Sequence, residues 1–343
     1  MLEKLLNLFI KATNLQPDYT KEHCIAYRQT STACKRCQET CPHEAISFKR
    51  NREVVIDEVD CTGCGLCVQT CPSQALSART SLQSGAPLKC SQVKGGAQTV
   101  QCLTRLTPPD LLRLAGSQET ITLVRGACAN CKIGDATVPD KLQETFERAK
   151  ALADFRGRPL RLELLEKTHY DATDSPYTVS RRDLLRGSWR GLAQTAADVL
   201  APLAAEEDSA STLPVTMQRE YTVIKNANPE PDTPVPWVLP RVAEGCIMCP
   251  VCTNVCPTKA FRRDFHPVGK SGTVLLLEPE RCNGCGACVS ACPVHVITLD
   301  HQVSWGELSG GAQTAYYKDP KQANAGAIAR GSTPSETITD KSA

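Results

Sequence analysis

Cys61, Cys64, Cys67 and Cys71, the last followed by Pro72, form a run of spacing C-x2-C-x2-C-x3-C-P. Thiolates at this spacing hold the irons of a 4Fe–4S cubane. The run recurs as Cys246, Cys249, Cys252 and Cys256 before Pro257, and as Cys282, Cys285, Cys288 and Cys292 before Pro293. A fourth copy keeps Cys34, Cys37 and Cys41 before Pro42, with Ser31 where the first cysteine would stand. Four cubanes on one chain imply a path for single electrons.

Twenty cysteines in 343 residues could instead form a disulfide scaffold. Three features oppose that reading. The chain is much longer than stapled secreted domains, and its opening Met-Leu-Glu-Lys-Leu-Leu lacks the charge and apolar pattern of a secretory signal. The cysteines also repeat a metal-ligand spacing that a disulfide framework has no reason to copy. Zinc is the other alternative for these runs. It favours two separated C-x2-C pairs, whereas here a third and a fourth cysteine follow at once.

Composition predicts a cytoplasmic protein of two or three modules. A formal charge of +2 supplies no basic field for nucleic acid. The longest apolar run lies around Thr273–Leu277, far short of a membrane span. The six histidines form no motif with acidic residues, and neither a G-x-S-x-G nor a phosphate loop is present. Aromatic content is only 5%, so bound clusters must replace part of the core.

The elements that position these thiols follow one grammar: cysteine run, short apolar strand, charged turn, strand, next run. Predicted strands are Ala45–Phe48, Glu53–Ile56 and Ala75–Ser77 in the first pair, and Ala260–Phe261, Val274–Leu277 and Val296–Leu299 in the second. Such short strands must pair as antiparallel ribbons. The proline after each last cysteine is expected in the first turn of a helix, where a missing N–H costs nothing. Gly63, Gly65, Gly284 and Gly286 let the runs turn tightly.

On these residues each pair resembles a dicluster ferredoxin domain, in which the fourth cysteine of one run binds the cluster of the other. The resemblance implies one cluster on Cys61, Cys64, Cys67 and Cys41, a second on Cys282, Cys285, Cys288 and Cys256, and a third on Cys246, Cys249, Cys252 and Cys292. The fourth has Cys34, Cys37 and Cys71 and needs one more thiolate. Cys24 is read as the displaced ligand, because a free thiol beside iron chemistry is an oxidation liability. The rival readings are a cubane with one open iron and a 3Fe–4S cluster.

The middle segment alternates short strands and helices: strand Thr99–Leu103, helix Pro109–Leu114, strand Ile121–Val124, helix Leu142–Phe155, strand Leu160–Leu164. That alternation predicts a parallel α/β layer. Its cysteines are Cys90, Cys102, Cys128 and Cys131, with Cys102 and Cys128 at or just past the carboxyl ends of strands, where such sheets place ligands. Their order resembles a reduced version of the delta subunit of methyl-viologen-reducing hydrogenase, which implies a 2Fe–2S cluster. The C-x2-C pair Cys128–Cys131 is closer than that family's spacing. Structural zinc and unligated core cysteines are the alternatives.

The predicted fold class is α+β, two ferredoxin-like dicluster domains flanking a small parallel α/β domain. The predicted division is 1–85, 86–170, a helix and proline-rich linker over 171–240, the second dicluster domain over 241–305, and a polar tail over 306–343. Ser180-Arg-Arg-Asp-Leu-Leu-Arg186 resembles a twin-arginine signal but lies mid-chain, and a surface helix capped by Ser180 explains it. Residues 204–210 and Pro229–Pro236 read as linker, and 318–343 as disordered.

The expected function is electron transfer through multiple iron–sulfur clusters, as a carrier or as a subunit of a larger redox complex. Donor and acceptor are unnamed proteins, and a molybdenum- or hydrogenase-type catalytic subunit is a partner by analogy. The alternatives are a redox enzyme subunit whose open-coordinated cluster reduces sulfur, quinone or disulfide substrates, and a structural adaptor docking electron partners. Lys35 and Arg36 inside the first run, against Ile247, Met248 and Val251 in the third, predict that the first-run cluster accepts electrons more easily. His43 in Cys41-Pro-His and His295 in Cys292-Pro-Val-His are candidate hydrogen-bond donors near clusters.

Overall fold

The computed structural model describes residues 15–171, 213–268 and 271–319. The helix expected from Ser180 and the linker over 204–210 lie outside the described residues. The chain mixes helix and strand in the α+β manner.

In the first region β1 (Asp18–Tyr19) pairs antiparallel with β4 (Leu76–Ser77), and β2 (Ile46–Phe48) with β3 (Val54–Ile56). Between them lie the short helices α1 (Ile25–Arg28), α2 (Arg36–Glu39) and α3 (Leu66–Thr70). Cys24, Cys37, Cys67, Ile46, Val54 and Leu76 are buried together there. The core is built as much of sulfur as of hydrocarbon.

The middle region holds a four-stranded parallel sheet ordered β6 (Gln98–Val100), β5 (Leu88–Cys90), β7 (Thr120–Arg125), β8 (Arg161–Glu166). The strand at Leu88–Cys90 was not anticipated, because three residues are too few to show a period. Helix α4 (Pro108–Ala115) begins with a capping box in which Thr107 and Asp110 bond reciprocally, and Pro108 occupies its first turn. Helix α5 (Val138–Phe155) buries Val138, Leu142, Phe146, Ala149, Leu152 and Ala153 at helical spacing.

The last region begins with α6 (Val215–Lys225) and β9 (Pro234–Val235), followed by β10 (Leu239–Val242), α7 (Val251–Val255), β11 (Phe261–Asp264) and β12 (Thr273–Leu277). Next come α8 (Ala287–Ala291), β13 (Ile297–Asp300), β14 (Val303–Ser304), α9 (Trp305–Ser309) and β15 (Gln313–Lys318). Strand β15 adds to β12 as the third strand of an antiparallel sheet, so the segment read as a polar tail is structured as far as Lys318. The stretch Pro229–Pro236 is likewise not free linker. Val235 pairs with Val303, and Val235 and Trp237 are buried beside Met217, Ile224 and Leu152 of α5. Alternating prolines hid the apolar residues between them.

The three regions pack on one another. Arg148 of α5 meets the buried carboxylate of Glu220 in α6 at 2.6 Å. Arg28 donates to the carbonyl of Asn254 at 2.8 Å, beside an apolar contact of Ile25 with Val255 and Ala287.

Candidate metal centres

All four copies of the run share one local device. The short helix ends at the last cysteine or, in the first copy, at Thr40 just before it, and the following proline cannot continue it. The expectation that this proline opens a helix is therefore corrected: it follows a helix end and enters a turn. Three residues after each last cysteine, Glu44, Gln74, Lys259 and His295 all adopt left-handed φ of 51–56°. Each donates its N–H to that cysteine's carbonyl at 3.2–3.3 Å. The next amide then turns back to sulfur: Ala75 N–H to Cys71 Sγ, and Ala260 N–H to Cys256 Sγ, both at 3.2 Å. Amides aimed at sulfur favour the thiolate and tune a bound cluster.

At the other end of the runs, Gly65 and Gly286 take φ of 88° and 74° as they cap α3 and α8. Met248 holds the position of Gly63 and Gly284 in the third run, also at positive φ.

All twenty cysteines are free thiols. A small cavity is lined by Cys41, Cys61, Cys64 and Cys67, and another by Cys246, Cys249, Cys252 and Cys292. Cys256 lies within electrostatic reach of Cys282, Cys285 and Cys288. Around Cys37 lie Cys71, Cys24 and Cys34. Cys24, buried at the N-terminus of α1, is thus brought to the three thiols that lack a partner. Burial first, and then these neighbouring thiols, push Cys37 up to about 12. Burial likewise raises Cys64 to about 11, Cys282 to about 12 and Cys285 to about 12. Gathered buried thiols resist ionising in one another's presence, and a cationic iron core removes that conflict. The donor set fits iron–sulfur ligation.

Cys90, Cys102, Cys128 and Cys131 line a cavity of about 240 Å³ outside the carboxyl ends of β5, β6 and β7. Among the described residues no three Cys, His, Asp or Glu side chains converge on the position of a single ion. The thiols surround a space instead. Arg125 and Lys167 stand at its margin.

The five groups succeed one another in space. Cys102 and Cys64 share an apolar cluster with Leu66 and Val138, and Thr104 bridges them, at 3.3 Å from Cys102 Sγ and donating to the Cys64 carbonyl at 2.8 Å. Cys67 neighbours Cys37. Cys34 and Cys285 pack against the apolar contact formed by Ile25, Val255 and Ala287, and Cys71 also neighbours Cys285. Cys288 neighbours Cys252.

Two further residues were legible in part. His43 Nε2 donates to the Ile133 carbonyl at 2.9 Å, tying the first region to the middle sheet, whereas His295 is exposed in its turn. Lys35 and Arg36 are exposed. The cation that is buried beside a run is Arg105, which no spacing announced.

A family model for the 4Fe–4S dicluster domain matches residues 32–75 and 245–302. The chain is similar to the polyferredoxin protein MvhB of Methanothermobacter marburgensis, 33% identical over 69 residues, 18% of this chain and 17% of that protein. It is similar to the ferredoxin-type protein NapF of Haemophilus influenzae, 41% identical over 16% of this chain and 30% of the relative. The polyferredoxin-like subunit of an aliphatic sulfonate oxidoreductase from Pyrococcus furiosus is 46% identical over 16% of this chain and 29% of that subunit. The matches thus span less than a third of these relatives' lengths. No solved structure matches the chain significantly.

Proposed function

This chain is a polyferredoxin-type 4Fe–4S protein with two dicluster domains, and from that premise we propose that it passes single electrons along a file of five iron–sulfur centres. The observation that carries the reading is the succession of thiol groups. It runs from Cys90, Cys102, Cys128 and Cys131 to Cys41, Cys61, Cys64 and Cys67, then to Cys24, Cys34, Cys37 and Cys71. From there it crosses to Cys256, Cys282, Cys285 and Cys288 and ends at Cys246, Cys249, Cys252 and Cys292. In this reading two ferredoxin-like units flank the parallel layer, four cubanes occupy them, and the middle thiols hold a 2Fe–2S cluster. The position of these thiols around a cavity outside the carboxyl ends of parallel strands, where such sheets place ligands, supports that reading.

The clusters supply one-electron redox capacity. The chain's own residues fix their positions, direct amides at the ligand sulfurs and exclude water from most of the thiols. Centres at the two ends of the file suit protein partners, a donor at one and an acceptor at the other. The naming of one relative as a subunit of an oxidoreductase supports a catalytic subunit as one of them. No helix among the described residues is long and apolar enough to cross a membrane. A reducing compartment such as the cytoplasm suits this many thiolates.

Metal analysis of anaerobically prepared protein tests the inventory. About eighteen iron atoms per chain are expected, from four cubanes and one 2Fe–2S centre. About sixteen with one zinc would remove the middle centre from the electron path. Fewer than about twelve would overturn the five-centre file.

A further inference from the structure

Arg105 lies in the short 3-10 turn Leu103–Arg105 and is only 5% exposed. Its guanidinium donates to three backbone carbonyls: Leu15 at 2.7 Å, Gly63 at 2.9 Å and Arg79 at 3.3 Å. These bonds engage three of its five N–H donors without neutralising its charge. Among the described residues it forms no ion pair with a carboxylate. A buried charge with no counter-charge is costly and is retained where an anion faces it. The groups within its electrostatic reach that would become anionic on holding iron are the sulfurs of Cys61, Cys64, Cys67 and Cys102.

The contact is built in rather than incidental. Gly65, at φ of 88°, lies so close that a Cβ there would stand 2.9 Å from Arg105 Cγ and 3.0 Å from its Cα. Gly63, whose carbonyl Arg105 holds, is pinned between Cys61 and Cys64 of the ligand loop. Only one other Lys or Arg is buried among the described residues, Lys89, whose ammonium bonds the Val93 carbonyl. None of the basic residues near the remaining cubane groups is fully buried: Arg28 and Arg263 are half-buried and donate to the Asn254 and Met248 carbonyls, and Arg281 pairs with the carboxylate of Glu278.

A cubane bound by four thiolates carries net negative charge that increases on reduction, so a fixed, desolvated cation beside it stabilises the reduced form more than the oxidised one. We propose that Arg105 is the electrostatic trap of the file, its charge setting the cluster of Cys41, Cys61, Cys64 and Cys67 at the highest potential among the four cubanes. This rests on the electron-transfer reading above. The step itself is one-electron reduction of that cluster by its neighbour, with no bond made or broken. The trap stands beside the middle-domain thiols, so electrons arriving from the last region collect where the Cys102 centre can accept them.

An EPR-monitored redox titration of the full chain tests this, with iron content measured on every sample. Cys61→Ser alters one cubane's signal and so assigns it in the wild-type spectrum, where that signal is expected to be the first of the cubanes to be reduced. Arg105→Gln keeps hydrogen-bond donors but removes the charge. It should shift that cluster's reduction equilibrium roughly tenfold or more toward the oxidised form, leaving the other cubanes in place. Arg105→Lys should retain most of the wild-type value. An unshifted cluster in Arg105→Gln with full iron, or an equal shift of all cubanes, overturns the proposal. If Arg105→Gln binds less iron, the order of reduction in the wild-type protein decides, and a different cubane reduced first overturns it. Failure of the electron-transfer reading would look different: the wild-type protein would lack cubane signals altogether.

Discussion

The side-chain amide of Asn283 donates to the carbonyl of Ser73 at 3.1 Å, joining ligand loops that are 210 residues apart in the chain. Asn283 follows Cys282, and Ser73 follows Cys71-Pro72, so the bond spans the seam between the two dicluster regions where Cys71 and Cys285 are neighbours. The same Asn283 accepts the Cys285 N–H at 3.3 Å. One residue thus shapes a ligand loop and docks it on the other region.

Asn283→Asp keeps the acceptor for Cys285 and turns the donor into a carboxylate facing the Ser73 carbonyl. Iron content should stay at the wild-type level while docking weakens by about 1 kcal/mol. Denaturant melting should show an earlier first step and limited proteolysis faster cleavage at the seam. A melting curve superimposable on wild type would remove this bond from the docking contact.

Cys24→Ala should convert one cubane to a 3Fe–4S form, because iron held by three thiolates and water is lost on oxidation. The other cubanes take no ligand from that loop and should persist. EPR of the oxidised variant should show a new 3Fe–4S signal of about one per chain. The same signal in unaltered protein would return the open-iron enzyme reading to first place.

The second dicluster region should not be independent when cut at its motifs. A fragment of residues 240–305 omits Met217, Ile224, Val235, Trp237 and Leu239, which are buried against Phe261 and Leu275. Trp237 also donates to the Cys282 carbonyl at 2.9 Å. Removing one such aromatic alone costs about 3–5 kcal/mol. The fragment 213–318 should hold two cubanes at near-native stability, and 240–305 should lose them readily. Equal cluster retention by both fragments would contradict this.

Buried thiols set a pH dependence for the iron-free chain. Burial raises Cys64 to about 11 and Cys37, Cys282 and Cys285 to about 12, above the ordinary 9.0. The folded iron-free chain therefore holds more protons than the unfolded one between those values. Its stability is full below about 9 and falls as pH rises toward about 11 to 12. Loaded protein, with metal-bound thiolates, should lack this loss. Denaturant midpoints at pH 8 and pH 11 for both forms check it. An iron-free chain already unfolded at pH 8 would mean that iron, not packing, gathers these thiols.

Much of the site was legible because covalent spacing dictates it. C-x2-C-x2-C-x3-C-P places three thiols on one tight turn, and the glycines at 63, 65, 284 and 286 mark backbone that must adopt positive φ, as all four do. Short apolar runs marked the strands, and the parallel layer followed from alternation of strand and helix. Less was legible where the signal depends on neighbours remote in sequence. Lys35 and Arg36 were credited with tuning a cluster because they adjoin cysteines in the chain, yet both face water, which screens their charge. Arg105 adjoins only Cys102 within its own segment, and nothing along the chain places it under the Cys61 loop.

Residue order was enough to specify the chemistry: thiols in ligand spacing, paired runs, and a separate four-cysteine segment within alternating strands and helices. Those are local properties, set within a dozen residues by backbone geometry and side-chain type. The tertiary structure alone decided the order of the groups, the approach of Cys24 to Cys37, the burial of Trp237 against the last region and the meeting of Asn283 with Ser73. Each of those depends on which apolar surfaces cover one another, and burial pairs residues by shape and solvent exclusion rather than by distance along the chain.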